Sequence, residues 1–543
     1  MTDLAAMSPS PLPGARAEAT EPTVAPGWRL QPITRASRLF GANGLRTGPD
    51  GRVYIAQVTG SQISAFDVAS GALATVSARG GDIVAPDDVA FDGAGRLYAT
   101  EVMDARVSVL DTAGRSRVLR DDLPCANGIT VHHDHLFVGE CRDGGRLVHL
   151  DRDTGAQRVL AENLPSPNAM EVGPDGLLYF PLMTANEIWR IDPFAAEPTA
   201  PQRVAGDLGV PDAVKFDADG YLVSTQAASG QVLRIDPRTG DRTVLAQLSP
   251  GLDNCTFVGD RLFVSNFTGA ITEILPDGQT RTALPGGLNW PLDLTVDAEG
   301  TVYIADGTNF YAVGPRGRLD TVGMLFSPGY PGFLRGVQAV GAGQFITTTS
   351  GGQLCRYTPA QARTEVLADG FDQLYGVAVT PDGAVVTEFG TDRVLHVRNG
   401  TVDVLASGVH QPVGVAVDGD GSVLVAESGA GRVRRVTGSG VQTVVDGLTR
   451  PQGILVADGY LYVVDAGARQ LVAVDLHTAA RQTIAADLPI GPPPGVTPKP
   501  LKGMPPFSGP QGPFAGIARR SDGVLFVSAD GDGSVLALQP VAP

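Results

Sequence analysis

The sequence predicts an all-β protein made of two tandem six-bladed β-propellers. Three observations predict it: a turn-rich composition, one short unit that repeats along the whole chain, and twelve copies of that unit. The chain has 543 residues with 69 Gly and 41 Pro, 43% hydrophobic and 18% charged. That profile belongs to a turn-rich globular protein rather than a disordered or coiled-coil one. The length exceeds what one core comfortably fills, so two or more domains are expected.

The clearest repeat is GVAVDGDGSVLVAESGAGRVRRV at 414–436: an apolar strand, a tight turn, a second strand, a polar turn and a third strand. In the first half, its echoes start at residues 44, 88, 128, 169, 213 and 255. The later copies begin DLTVDAEGTVYIADG, GVQAVGAGQFITTTS, GVAVTPDGAVVTEFG, the 414 unit itself, GILVADGYLYVVDAG and GIARRSDGVLFVSAD. Gly and Asp supply the turns, and a further strand such as SRVLRDDL or QTVVDGL precedes the next copy. A four-stranded unit recurring about every 40 residues is a propeller blade. Propellers usually close with about 4–8 blades, so twelve units divide into two rings of six.

The last copy stops after its third strand, SVLALQPV, while WRLQPIT at 28–34 is a β-like segment without a partner of its own. An early strand that completes a late blade would tie a ring shut. The expected division is a flexible tail over 1–27, a first ring over 28–290, and a second ring over 291–543 with a Pro-rich insertion at 491–511.

A net charge of -17 and a pI near 4.8 argue against nucleic acid or an anionic membrane as partner and favour a cation. No apolar run is long enough for a membrane helix, and the first residues lack a secretory pattern. With only four cysteines, a cytoplasmic protein is expected. Cys125 and Cys141 should face each other across a hairpin turning at His133 and Asp134, as neighbouring free thiols.

The functional signal lies at one register, the residue just before the innermost strand, where six loops converge on the channel. In the first six copies that register reads Asn43, Asp87, Asn127, Asn168, Asp212 and Asp253. In the second six it reads Leu292, Arg335, Tyr375, Val413, Gln452 and Ala515. Turn chemistry alone would place Asn and Asp equally in both halves. A ring of short oxygen-bearing side chains in one half only suits a hard cation such as Ca²⁺.

The blade pattern resembles two related families. The 414 unit is similar to an NHL repeat, and residues 41–290 resemble the senescence marker protein, gluconolactonase and paraoxonase superfamily, to which strictosidine synthase-like proteins are related. The resemblance implies a metal held by Asn127 in CANGIT, Asn168 in SPNAME and Asp212 in VPDAVKF, with Asn43 in GANGL standing where the family has a Glu. Asp87 and Asp253 would restore negative charge. It also implies hydrolysis of a small-molecule lactone or ester, with Asp212 as the base and Asp253 second. A condensing enzyme or cyclase of the strictosidine synthase type and a non-enzymatic NHL-type scaffold are the alternatives.

The conspicuous cluster His132, His133, Asp134 and His135 occupies the place of GPDG and DADG in other copies and reads as a turn. The EF-hand-like starts at 217, 418 and 530 lack the remaining ligands and read the same way. In the second ring, Arg335, Tyr375, Glu388, Glu427 and Gln452, with Asp306 and Asp465 nearby, are expected near the mouth, either as a polar-ligand site or as a satisfied polar network between blades, with the insertion as a lid. A protein partner would use this ring.

Overall fold

The computed structural model describes Arg16 and residues 21–197, 199–341, 343–438 and 440–541. Among the described residues there is no α-helix, and the strands form twelve antiparallel sheets. Ten of the sheets contain four strands consecutive in sequence. Blade 2 shows why each repeat folds this way. Its strands are Pro86–Phe91, Leu97–Glu101, Arg106–Leu110 and Ser116–Arg120. In the turn between the first two, Asp92 Oδ1 accepts the N–H groups of Ala94 and Arg96 at 3.0 Å, and Gly95 takes φ +80°. Leu97–Glu101 is buried throughout because adjacent blades cover both of its faces, whereas the outer strand is half exposed.

Twelve apolar cores lie between adjacent blades and close two rings. Leu45, Ile55 and Phe66 of blade 1 pack with Phe263, Ile271 and Leu284 of blade 6. Leu294, Ile304 and Tyr311 of blade 7 pack with Phe526 and Val535 of blade 12. At the first seam, Thr47 N–H donates to Thr256 Oγ1 at 3.0 Å. At the second, Gly516 N–H donates to the Leu292 carbonyl at 3.2 Å.

The expected boundaries need correction at the N-terminus. Trp28–Pro32 does not open the first ring but pairs with Ser534–Pro540 as the outer strand of blade 12, in the register Trp28↔Pro540 to Pro32↔Leu536. Thr23–Val24, expected in a flexible tail, adds a fifth strand to blade 11 by pairing with Ala485 and Ala486. The physical reason is edge protection: blade 12 has only three strands of its own, so its last strand would expose unpaired N–H and C=O groups. Residues 1–15 and 17–20 of the expected tail lie outside the described residues.

A thirteenth apolar cluster joins the rings. Val58, Ala85, Val102 and Met103 from the first ring pack with Trp290, Leu292, Phe333, Tyr375, Val413, Leu501 and Phe514 of the connector, second ring and insertion. Because Leu292, Tyr375 and Val413 occupy the mouth register of the second ring, the two mouths share this cluster. Arg16 bolts the seam from outside, its guanidinium donating to the carbonyls of Leu39, Leu288, Asn289, Asp530 and Gly531.

Removing residues 1–32 should destabilise the second ring selectively, because Trp28 and Leu30 pack on the core of blades 11 and 12. The expected loss is about 2–4 kcal/mol, measured as an earlier second-ring transition in calorimetry with first-ring unfolding unchanged.

Candidate functional site

A recurring irregularity brings polar side chains into the first channel. Register breaks between Pro86 and Val89, Ala126 and Ile129, Pro211 and Val214, and Leu252 and Cys255. Such β-bulges set two residues against one and re-aim their side chains. The residues in the bulges are Asp87–Asp88, Asn127–Gly128, Asp212–Ala213 and Asp253–Asn254. A hydroxyl from the second strand fastens each of three bulges to the next blade. Thr100 Oγ1 accepts Asp88 N–H at 3.0 Å and donates to the Asn127 carbonyl at 2.6 Å. Thr225 links Ala213 to Asp253, and Ser265 links Asn254 to Asn43, in the same way. Gly128 has a packing reason: a Cβ there would sit 2.4 Å from the Asn168 carbonyl group.

Asp87, Asn127, Asn168, Asp212 and Asp253 are only 3–6% exposed, and Asn43 is half-buried. Asn43 Nδ2 donates to Asp253 Oδ2 at 3.0 Å while its Oδ1 accepts Val58 N–H. Asn168 Nδ2 donates to Asp212 Oδ1 at 3.0 Å and contacts Met183 Sδ at 3.0 Å. Asn168 Oδ1 is buried without a partner. Among the described residues, none of Asp87, Asp212 and Asp253 forms an ion pair. Burial, then repulsion from Asp88, lifts Asp87 to about 7. Burial and mutual repulsion push Asp212 and Asp253 well above the ordinary carboxylate range. A site with three desolvated carboxyls and an orphaned amide oxygen is short of positive charge.

This donor set fits a hard dication, with asparagine oxygens needed as ligands. Among the described residues, no three His, Cys, Asp or Glu side chains are grouped closely enough to hold a metal by themselves. Asn127, Asn168, Asp212, Asn43 and Asp87 would supply the oxygens, with Asp253 beside them.

A deeper tier escaped the sequence reading. Arg46, Glu171 and Lys215 lie three positions after Asn43, Asn168 and Asp212 and meet across the channel. Glu171 Oε2 is 3.0 Å from Arg46 Nη1 and 3.3 Å from Lys215 Nζ. Burial opposes ionisation of Glu171, yet Lys215 and Arg46 hold its carboxyl below the ordinary value. Between the tiers, Asp88 accepts Ile129 N–H at 3.2 Å and Asn254 Nδ2 at 3.3 Å. The signal was there in LRT, MEV and VKF, three inner strands that carry a charge where blades 2, 3 and 6 have Ala90, Thr130 and Thr256.

The histidine cluster is the turn between Ala126–His132 and His135–Glu140, with His133 at φ +52° and Asp134 paired to Arg152 at 2.6 Å. Cys141 N–H donates to the Cys125 carbonyl at 2.9 Å, and both thiols are free. Glu140 is not a pocket residue, because Arg146 and Arg142 occupy its carboxylate.

The second ring differs from the expected ligand site. Glu388 binds Asp372 N–H, Thr391 and Arg393; Glu427 binds His410 N–H and Arg432. Asp306 and Asp465 likewise accept pairs of backbone N–H groups. These carboxylates brace the loops entering each blade instead of facing the channel. Gln452 Oε1 accepts Ala515 N–H at 2.7 Å. Arg335 is fully buried, donates to Leu374 and Pro510 carbonyls, and stacks 4.2 Å from the Tyr375 ring. The insertion thus fills this mouth, and Gly509 N–H is tied to Ser350. A groove of about 880 Å³ between blades 8 and 9, lined by Arg356, Glu365 and Asp382, contains none of the residues of either mouth.

Residues 23–267 match the family model for the SMP-30/gluconolactonase/LRE-like region. That stretch spans most of the first ring. Solved structures similar to part of the chain include a streptogramin B lyase, at 18% identity over 51% of this chain and 94% of that one, with a TM-score of 0.38. A gluconolactonase from Xanthomonas campestris matches at 17% identity over 48% of this chain and 96% of its own, with a TM-score of 0.38. The calcium-binding protein regucalcin from Agrobacterium tumefaciens matches at 19% identity over 44% and 85%, with a TM-score of 0.35. No curated protein matches the sequence. In the first ring, the Asn/Asp tier is the part whose electrostatics most need a ligand. No helix of the described residues is long and apolar enough to cross a membrane.

An acid whose pKa is raised by folding stabilises the fold fully below its unfolded value and ceases to do so as pH climbs to the raised one. For Asp87 that window runs from 3.8 to about 7. Metal-free Asp87→Asn protein should match the parent at pH 4 and exceed it by about 2–4 kcal/mol at pH 8, read by calorimetry in chelator. In the second ring, Glu427→Ala should cost about 3–5 kcal/mol by stranding Arg432 and the His410 loop, with the cation response of the first ring unchanged in a thermal-shift assay.

Proposed function

We propose that the first ring is the catalytic centre of a metal-dependent hydrolase of the lactonase type, acting on a small-molecule ester or lactone. The single observation that supports it most is the set of three buried carboxyls, Asp87, Asp212 and Asp253, left without a basic partner beside the unpartnered Asn168 Oδ1. The match of residues 23–267 to the family model for the SMP-30/gluconolactonase/LRE-like region agrees with this reading. Ca²⁺ is the cation that best suits such a mixed amide and carboxylate oxygen set.

When bound, the dication polarises a carbonyl and offsets the charge that develops on its oxygen. Asp87 and Asp212 would balance its charge, and one carboxylate of the tier would also move a proton. Asp212 is that base, with Asp253 as the second choice. Burial and the neighbouring Asp87 and Asp88 raise the affinity of Asp212 for a proton, which suits it to take one from attacking water. Asn168 orients it through the Nδ2 bond to Oδ1. The proton then passes to the alkoxide released as the ring opens. Arg46, Glu171 and Lys215 sit one level deeper and keep the far end of the channel ion-paired, so the acidic tier faces only the mouth.

Asp212→Asn should lower lactone turnover by about a thousandfold or more while preserving the circular dichroism spectrum. Chelation should abolish activity in the parent protein, and Ca²⁺ should restore it together with a rise in melting temperature. Asn168→Ala should lose that thermal response. Turnover of Asp212→Asn equal to the parent's would reject the base assignment, and a parent insensitive to chelator would reject the metal.

A further inference from the structure

The acidic tier of the first ring lies against a packed apolar cluster. Val58 N–H donates to Asn43 Oδ1, Ala85 lies two residues before Asp87, and half-buried Cys125 two before Asn127. All three belong to the cluster containing Trp290, Phe333, Tyr375 and Phe514 from the connector and second ring. The insertion adds Leu501 and Met504 to the same cluster, and Phe507 packs beside Phe326, which in turn meets Phe267 of blade 6. Across a buried tier of oxygens, therefore, stands a wall of aromatic and aliphatic side chains contributed by the other ring.

Two further features mark this wall as a place for a ligand. Trp290 is 5% exposed, yet its indole N–H has no acceptor. A buried donor left open in this way is matched by an oxygen brought in from outside. The insertion is also fastened to the rim of the first ring by exposed contacts. Lys499 lies 3.7 Å from Asp82, and Lys502 lies 2.9 Å from Asp104. These are two of only three lysines in the chain. The Lys499–Asp82 pair is exposed on both sides and holds weakly, so this part of the strap can yield to a molecule that replaces its contacts.

We propose that the two mouths form one binding compartment, in which the second ring and the strap recognise the apolar body of an ester or lactone whose carbonyl lies on the Asn/Asp tier. This rests on the hydrolase reading for the reaction itself. The chemistry of the wall selects the substrate class: a ligand that displaces Leu501 and Met504 must restore apolar contact, which a long acyl or aryl group does and a polyhydroxylated ring does not. Trp290 Nε1–H donates to an oxygen of the ligand, and Met103, Trp290 and Phe514 set specificity.

The chain has three tryptophans, so Trp28→Phe and Trp189→Phe leave Trp290 as the sole emitter. In that protein carrying Asp212→Asn to prevent turnover, γ-dodecalactone with Ca²⁺ should shift Trp290 emission. Its half-saturation should lie at least about tenfold below that of glucono-δ-lactone. Calorimetric titration of the Asp212→Asn protein with all tryptophans retained gives the same comparison if the emission variant folds poorly. In the active enzyme, Trp290→Phe should raise KM for γ-dodecalactone about fivefold or more with kcat within about twofold. Equal or tighter binding of the polyhydroxylated lactone, or no binding of γ-dodecalactone in either format, overturns the proposal. Binding with the expected preference but no hydrolysis of either lactone overturns the hydrolase reading and leaves the compartment standing.

Discussion

Both rings are organised by one small interaction, the hydroxyl that fastens a bulge in one blade to the mouth residue of the next. Thr100, Thr225 and Ser265 perform it in the first ring, and Thr348, Thr387 and Ser528 perform it in the second. Each hydroxyl accepts from an N–H that the bulge has freed and donates to a carbonyl across the seam. The carbonyl belongs to the mouth residue itself, so that residue's backbone is fixed whatever its side chain. The same skeleton therefore presents Asp and Asn in one ring and Leu, Tyr and Val in the other.

That separation of backbone from side chain lets the two rings diverge in chemistry while keeping the same geometry. The second ring carries Gly336, Gly376, Gly414 and Gly453 in the second bulge position, where each would press a Cβ against the next strand. Its inner strands close in on one another and the insertion fills the mouth. The first ring has Asp88 and Asn254 at two of those positions and keeps polar side chains down the channel. Burial of Asp87, Asp212 and Asp253 is a standing cost to the fold, and a cation is the direct way to offset it.

The fold was legible in the sequence because a period of strand and turn survives in every copy, including the truncated blade 12. The Asn/Asp register was legible because it falls immediately before the inner strand, a position the period itself marks. Asp88 and Asn254 were not, since strict alternation turns the residue after Asp87 or Asp253 away from the channel, and only the bulge turns it back. Glu388 and Glu427 were placed near a mouth because they end their strands there. Position along a strand does not say whether a carboxylate meets solvent or the N–H groups of the incoming loop. The meeting of the mouths was beyond reach for another reason: it depends on how the connector at Trp290 turns, and no periodicity encodes that.

The exchange of the first strands has a consequence for how the chain is made. Thr34 Oγ1 accepts the N–H of Val535, a partner 501 residues away, and Trp28–Pro32 waits for Ser534–Pro540. That strand must stay unpaired until Ser534–Pro540 has emerged, while the six blades of the first ring can close long before. Contacts of such long range are slow to form, so the second ring is the last unit to assemble. Its completion seats Trp28–Pro32, and a product cut short before blade 12 would leave that strand without its partner.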